Sequence, residues 1–308
     1  MKRRAFLKGL SAGGIFVPQI IRAQTWPYTY SDPQMYAKVM ANGVHPLATS
    51  WATRVVTNGG AAPSLASVAT LSNFAYALDA AGLTSSFLAL NCFAPDSLIA
   101  CITPLIITYC APAWTSTGFL SGDLTANGLI GDGSTKRLNT WVTGANFPSS
   151  DNAGVTLYAS AATNAATNRD IGFTDYTGTN TIFLIVNEGG NFGGCLPTYA
   201  NIISGTTQGP GYYSLNRVSS TDLRMYYAKS SSAHAQIGAT GTTSDTTAFG
   251  AYNIYVFCQF LWNTGSAYGN SINRLSFVAL HSGFSAAQSS ALYSAVQALR
   301  TALGGGYV

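Results

Sequence analysis

The stretch HPLATSWATRVVTNGG, residues 45–60, sets Leu47, Trp51 and Val55 four positions apart. Pro46 stands ahead of them and Asn58-Gly59-Gly60 behind. That spacing predicts a helix with one apolar face, since proline suits a first turn and Asn-Gly ends one. A second helix is predicted over 64–81, with Ser64 as N-cap and Leu65, Val68, Leu71, Phe74 and Leu78 on one side. Upstream, Ser31 or Asp32 before Pro33 reads as a further helix start. A short strand near 87–91 and a short helix from Asp96 to about Ile102 follow. The chain closes with FSAAQSSALYSAVQALRTALGGG. Here Ser285 and Gln288 form a capping box. Gln288, Leu292, Val296, Leu299 and Leu303 share one face, and Gly304 to Gly306 end the helix.

From about residue 115 the period changes. Apolar and β-branched runs alternate with turns rich in Gly, Asn, Ser and Thr: GVTLYAS, NRDIGFT, TNTIFLIVN, GYYSLNRV, TDLRMYYAKS, AYNIYVFCQFLW, NRLSFVAL. Strand runs this dense, without helical patterns between them, predict an all-β sandwich or barrel. TIFLIVN and IYVFCQFLW are apolar on both parities and read as central strands covered on both faces. DLRMYYA reads as an edge or outer strand. The expected division is a leader over 1–23, a small helical region over 24–112, and a β-sandwich with its closing helix over 113–308.

Only 8% of residues are charged, against about 25% in an average soluble protein. Hydroxyls and amides replace charge, a mixture common in extracellular proteins and virion surfaces. The net charge of +4 is concentrated at the start: Lys2, Arg3, Arg4, Lys8 and Arg22 are five of fifteen cations. Without residues 1–23, ten cations face eleven acids, a net charge of −1. A nearly neutral body argues against a nucleic-acid partner, which requires a basic stripe. KRRAFLKG resembles a twin-arginine signal, with Arg3 and Arg4 as the pair. Ile21 and Ala23 fit the −3 and −1 positions of a leader-peptidase site, predicting cleavage after Ala23 and an extracytoplasmic location. GLSAG, Gly9 to Gly13, matches a nucleophile pattern but lies inside this leader and follows no strand. No run reaches the roughly 18 apolar residues of a transmembrane segment.

Two motifs carry a resemblance. GLIGDGSTKRLNT, Gly128 to Thr140, resembles the F-D-G-x-x-D-Y-V hairpin that opens laminin-G-like, concanavalin A-like jelly rolls. INRLSFVALHSGFSAAQSSALYSAVQAL resembles their ending, L-S-x-x-E-x-x-x-L-Y: Ser285, Leu292 and Tyr293 match, and Gln288 replaces the glutamate. The resemblance covers about residues 45–303. The full layout is similar to uncharacterised secreted bacterial proteins and to bacteriophage virion-associated proteins. It implies a mainly β, concanavalin-like jelly-roll sandwich with a small N-terminal helical region and a C-terminal helix. Family members bind glycans, bind proteins or serve as structural modules, and some relatives of the wider fold hydrolyse polysaccharides. Gly128 to Thr140 is not a phosphate loop. Lys136 lies three residues after Gly133, Ser-Thr precedes it, and a strand pattern follows. Leu129 and Leu138 are expected to face the core.

Candidate chemistry is sparse. Glycoside hydrolysis requires two carboxylates about 5–10 Å apart. Glu188 is the one glutamate in the chain, and no strand carries two carboxylates at i, i+2. It reads as a solvated turn residue before Gly189-Gly190. His45 reads as a helix cap or surface residue, His234 as a loop residue, and His281 as the end of the last strand. None has a nucleophile motif beside it, so no catalytic residue is assigned. Cys92, Cys101 and Cys110 stand nine residues apart, which is no zinc signature. A disulfide within that trio is one reading, and buried free thiols are the other. Calcium could be held by loop Asp and Asn oxygens, but no D-x-D-x-D run supports a cofactor. What remains is recognition. Tyr176, Phe192 and Tyr268 fall in the loop-like runs TDYTGTN, GNFGG and NTGSAYGN, where aromatics could stack on sugars. The expected function is a non-catalytic binding or structural protein whose partner is a glycan or cell-surface polymer. The alternative is a self-assembling homo-oligomer of an envelope or virion surface.

Overall fold

The computed structural model describes residues 43–109, 112–175, 177, 179–230, 232–244 and 247–305. The leader with Arg3, Arg4 and Ala23, the helix start at Pro33, Cys110 and Tyr176 lie outside these residues. Eighteen strands form two sheets of nine. The first runs β14 (Ser232–Gly241), β13 (Asp222–Lys229), β12 (Gly211–Ser219), β7 (Ala153–Ala161), β18 (Arg274–His281), β1 (Phe87–Asn91) and β2 (Ile106–Ile107). Beside β18 lies β5 (Gly128–Ile130), and beside β5 lies β4 (Leu124–Thr125). The second runs β11 (Ile202–Thr206), β10 (Asn191–Cys195), β9 (Thr181–Glu188), β8 (Ile171–Thr174), β15 (Asn253–Val256), β6 (Arg137–Thr143) and β3 (Thr115–Thr117). A hairpin of β16 (Cys258–Leu261) and β17 (Ser266–Asn270) joins it through a parallel pairing of β16 with β8. The chain is a mainly β, two-sheet sandwich, antiparallel apart from that pair.

Strand alternation divides the core. On β7, Val155, Leu157 and Ala159 belong to the core between the sheets, together with Leu184, Leu215, Val278 and Leu280. Tyr158 of β7, Tyr212 of β12 and Phe277 of β18 point the other way, into a second core. That core is closed by helices α1 (Pro46–Thr57), α2 (Leu65–Ala80), α3 (Leu98–Ile102) and α4 (Ala286–Ala302). Trp51 and Val55 of α1, Leu71, Phe74 and Leu78 of α2, and Leu292, Val296 and Leu299 of α4 all pack there. Each such side chain contributes about 1.5–3 kcal/mol by leaving water. Helices therefore cover the outer face of the first sheet. The expected boundary at 112/113 is crossed, because β1 and β2 from the helical region complete that sheet.

The caps fall where the residue types place them. His45 Nδ1 accepts the Leu47 amide at 3.1 Å, Ser64 accepts the Ser67 amide, and Ser285 and Gln288 form a reciprocal box. The Gly128–Thr140 run differs from its expected form. Leu129 and Leu138 do reach the inter-sheet core. However, β5 pairs with β4 and β18 in the first sheet, and β6 pairs with β3 and β15 in the second. The turn is a corner between sheets, and the hairpin is β4–β5. Glycine is required at this corner. A Cβ at Gly131 would lie 1.9 Å from the Ser271 carbonyl oxygen, and Gly133 has φ +72. Asp132 locks the turn by accepting the amides of Ser134, Thr135 and Lys136 and the Thr135 hydroxyl.

Two further differences have a physical cause. IYVFCQFLW is not one strand. Phe257 adopts φ 67 and fills the inter-sheet core beside Phe93 and Phe119, which breaks the run into β15 and β16. His234 is not in a loop. Small residues of SAHAQIGATG extend as the edge strand β14, outside the β13 that was expected at an edge.

Candidate functional site

Among the described residues, no α-helix packs on the outer face of the second sheet. On β9, Ile182, Leu184 and Val186 belong to the inter-sheet core, so Phe183 and Ile185 emerge on the opposite face. There they form a separate cluster with Cys195 of β10. Phe183 and Ile185 floor a groove of about 520 Å³ across β9, β10 and β11. Arg169, just before β8, lies over the floor with its guanidinium 5.6 Å from the Phe183 ring and 5.3 Å from the Tyr268 ring of β17. Tyr199 also packs against Phe183, with ring centroids 5.7 Å apart. Its hydroxyl accepts Gln259 Nε2 of β16 at 3.4 Å. The result is a row: Tyr268, Arg169, Phe183, Tyr199. Its two ends are open to solvent, Tyr268 at 49% and Tyr199 at 37%.

Polar groups line the same groove. Glu188 Oε2 lies 3.0 Å from Arg169 Nη2, and Asn191 and Ser204 stand at its sides. Glu188 is therefore ion-paired and partly covered, not the solvated turn residue its position suggested. Burial raises its carboxyl above the ordinary value, Arg169 opposes that, and buried Asp170 adds to it. The net direction is upward despite the ion pair, so desolvation outweighs the pairing. Gly193 of β10 keeps the groove open. A Cβ there would make only ordinary contacts with Phe183 and Ile185, at 3.5 and 3.6 Å, so chain geometry does not demand glycine. A larger side chain would stand in the groove.

No second carboxylate lines this groove among the described residues. Asp170 is fully buried and accepts Ser271 Oγ at 2.6 Å, Asn273 Nδ2 at 2.8 Å and the Val186 amide at 2.7 Å. It anchors strand ends, and burial raises its carboxyl.

The histidines occupy built-in positions. His45 Nε2 also bonds Asp79 at 2.9 Å. His234 stacks on Tyr226 and meets Ser289 Oγ at 2.9 Å, but Ser289 is fully buried. His281 is buried at the end of β18, stacked 3.9 Å from Phe284. Its Nδ1–H donates to the Ser282 carbonyl at 2.6 Å, so Nε2 accepts from Thr156 Oγ1 at 2.8 Å. Cys92, Cys101 and Cys258 are buried free thiols, no bridge joins Cys92 to Cys101, and the buried Cys195 thiol donates to the Thr198 carbonyl at 2.8 Å. Burial pushes the Cys258 thiol up to about 12. The described residues contain no group of three or more metal-binding side chains. None of their helices is long and apolar enough to cross a membrane.

The three expected stacking residues separate. Tyr268 is in the row. Tyr176 lies outside the described residues. Phe192 is not an exposed loop aromatic: GNFGG extends as β10 and turns the ring into the inter-sheet core, 3% exposed. Arg169, Phe183, Tyr199 and Gly193 were not singled out in the sequence. The available signal was TIFLIVN itself, apolar on both parities, beside a strand that carries Gly193 on its outward face.

No known family matches the chain, and no curated protein matches it. Among solved structures, it is similar to domain 4 of AbnA, a GH43 extracellular arabinanase from Geobacillus stearothermophilus, in complex with arabinotriose. That similarity has 12% identity over 68% of this chain and 98% of that one, with a TM-score of 0.44. It is also similar to an arabinofuranosidase complexed with arabinofuranosyl-α-1,2-xylobiose, at 13% identity over 59% of this chain and 41% of that one, TM-score 0.41. The chain thus spans about two fifths of the arabinofuranosidase's length. The sandwich class rests on the strand topology above, and these similarities place no residue of this chain in a role.

Proposed function

We propose that this protein is an extracytoplasmic, non-catalytic binder of uncharged polysaccharide, held in the groove on the outer face of the second sheet. The observation that carries this reading is the row Tyr268–Arg169–Phe183–Tyr199, aromatic and solvent-open at both ends. Sugar rings stack by their C–H faces on Tyr268 and Tyr199. Their hydroxyls bond to the Arg169–Glu188 pair, Asn191 and Ser204. A neutralised cation suits hydroxyls better than a carboxylate ligand, because Glu188 already compensates Arg169. The leader over 1–23 is the basis for the location.

Affinity electrophoresis in gels containing soluble arabinan, xylan, galactomannan or mixed-linkage β-glucan tests the reading. The wild type is expected to be retarded in at least one gel. Tyr268→Ala is expected to weaken binding about tenfold, the size of one aromatic stacking contact. Gly193→Val, which fills the groove, is expected to weaken it at least as much. Wild-type retardation of both variants removes the groove from the function. Release of reducing sugar by the purified protein, lost in Glu188→Gln, makes it a hydrolase instead.

A further inference from the structure

Trp141 of β6 is not absorbed by the groove. Among the described tryptophans, Trp51 and Trp114 are buried, Trp262 is half-buried, and Trp141 is 44% exposed. The pairing of β6 with β15 slips beside it. Asn139 stands opposite Tyr255 and Thr143 opposite Asn253, so three residues of β6 span one of β15. Such bulges re-aim a side chain and mark sheet rims and binding sites. Trp141 takes φ 62 in the bulge. For a bulky residue that is a true outlier, and glycine or asparagine would relieve it.

The surroundings hold the strained form at several points. Asn139 Oδ1 accepts the Trp141 amide at 2.9 Å. Thr140 Oγ1 accepts the Val142 amide at 3.2 Å and donates to the Ile254 carbonyl at 2.7 Å. The indole Nε1–H donates to Thr115 Oγ1 of β3 at 2.9 Å, which fixes the ring as well as the backbone. An exposed, strained and clamped tryptophan adds nothing to either core. Strain kept where a smaller residue would remove it points to function.

We propose that Trp141 is a second carbohydrate-stacking platform, on the β3 side of the sheet and distinct from the groove. It takes the apolar face of an uncharged sugar ring. Its neighbours along β3 and β6 carry hydroxyls: Thr115, Thr117 and Thr143. The cation on β6, Arg137, lies over the Phe260 ring at 5.9 Å. These neighbours suit ring hydroxyls and offer an anion little. An indole fixed in advance loses no rotamer freedom on binding. Two platforms on one sheet bind a polymer with avidity, because the second contact becomes intramolecular. The ligand class rests on the function proposed above, whereas the location at Trp141 does not.

The test uses the full chain in the same four polysaccharide gels, with Trp141→Ala, Gly193→Val and the double variant. Trp141→Ala is expected to lower retardation about fivefold to tenfold, Gly193→Val by about tenfold or more, and the double variant to abolish it. Trp141→Tyr is expected to keep most of it. In solution, adding the retarding polysaccharide is expected to shift tryptophan emission in the wild type and in Gly193→Val, but not in Trp141→Ala. Trp141→Gly, which relieves the strained φ, serves as a folded control that also loses the contact. If Trp141→Ala matches the wild type in gel and emission while Gly193→Val loses all binding, the groove stands and this proposal fails. If Trp141→Ala removes binding and Gly193→Val does not, the platform stands and the groove falls. A drop in mass by light scattering in Trp141→Ala makes the residue a self-association contact and overturns the proposal. A wild type that no gel retards overturns both.

Discussion

Acidification probes the buried end of β18. His281 has no exposed surface, and its hydrogen bonds admit one tautomer, with the proton on Nδ1. Its Nε2 ends a directed chain. Asn216 Nδ2 donates to Ser214 Oγ at 2.9 Å, Ser214 to Thr156 at 2.7 Å, and Thr156 to His281 at 2.8 Å. A second proton on the imidazole would turn that acceptor into a donor facing a donor. It would also leave a charge in a dry core against Phe284 and Phe87. Burial is the larger cause and pulls the imidazole from 6.5 down to about 4, while the Ser282 carbonyl opposes it.

The sign follows from linkage. The folded pKa is depressed, so between about pH 6.5 and about pH 4 the unfolded chain takes a proton that the folded chain refuses. Stability therefore falls as pH falls. The gap from 6.5 to about 4 corresponds to about 3 kcal/mol at most. Against a typical total of about 5–15 kcal/mol, that loss is large. His234, also depressed by burial, acts in the same direction. Glu188 acts oppositely, because a raised carboxyl gains stability as pH falls. Urea denaturation at several pH values between about 7 and 4.5 isolates His281 when wild type is compared with His281→Gln, which cannot titrate there. The variant is expected to be less stable at neutral pH and to show a flatter stability–pH curve, by up to about 1.4 kcal/mol per pH unit. Parallel curves for the two proteins would refute the buried-neutral reading.

The remaining expectations concern the corner turn and the core side of β10. Asp132→Ala removes an acceptor shared by three amides and a hydroxyl at an exposed turn, and is expected to cost about 1–2 kcal/mol at neutral pH. Partial burial raises the Asp132 carboxyl, but the amides of Lys136, Ser134 and Thr135 and the Thr135 hydroxyl outweigh it and hold it well below the ordinary range. Its contribution is therefore present above about pH 4 and fades as pH falls further, so the two denaturation curves should converge in acid while polysaccharide binding stays unchanged at neutral pH. Gly194→Val directs a side chain at Leu215, which a Cβ would already approach at 2.9 Å. It is expected to cost about 1–3 kcal/mol by overpacking, measured as a lower melting temperature, whereas Gly193→Val one position earlier keeps the wild-type melt.

The helices and the strand-rich body were legible because their signals are local. Ser64, Ser285 and Gln288 cap through neighbours within three residues, and the apolar faces of α1, α2 and α4 follow a fixed period. The sheet order was not legible. That Gly131 faces Ser271, or that β1 lies beside β18, depends on partners far along the chain, and one-dimensional pattern does not carry register. Phe192 was misplaced for a related reason. Glycines on both sides resemble a loop, yet in β10 they serve a strand, with Gly194 giving room to Leu215 in the core and Gly193 giving room outside. Trp141 was not singled out: alternation with the core-facing Leu138 and Val142 already puts it outward, but nothing local in RLNTWVT signals the bulge against β15, the positive φ or the bond to Thr115.

Tertiary layering then decides where a ligand is able to bind. The outer face of the first sheet carries Tyr158, Tyr212 and Phe277, a surface as aromatic as the groove, but four helices close over it and turn it into core. The outer face of the second sheet has a shorter cover: the β16–β17 hairpin on one side and the turn at Tyr199 on the other, linked by Gln259. Between them Phe183 and Ile185 are packed against Cys195, Arg169 and Tyr199, and beside them Gly193 leaves room that a Cβ would enter at ordinary contact distances. A glycine there keeps the groove open between two exposed tyrosines. No steric contact in the fold demands glycine there, and the proposed ligand gives a reason for it.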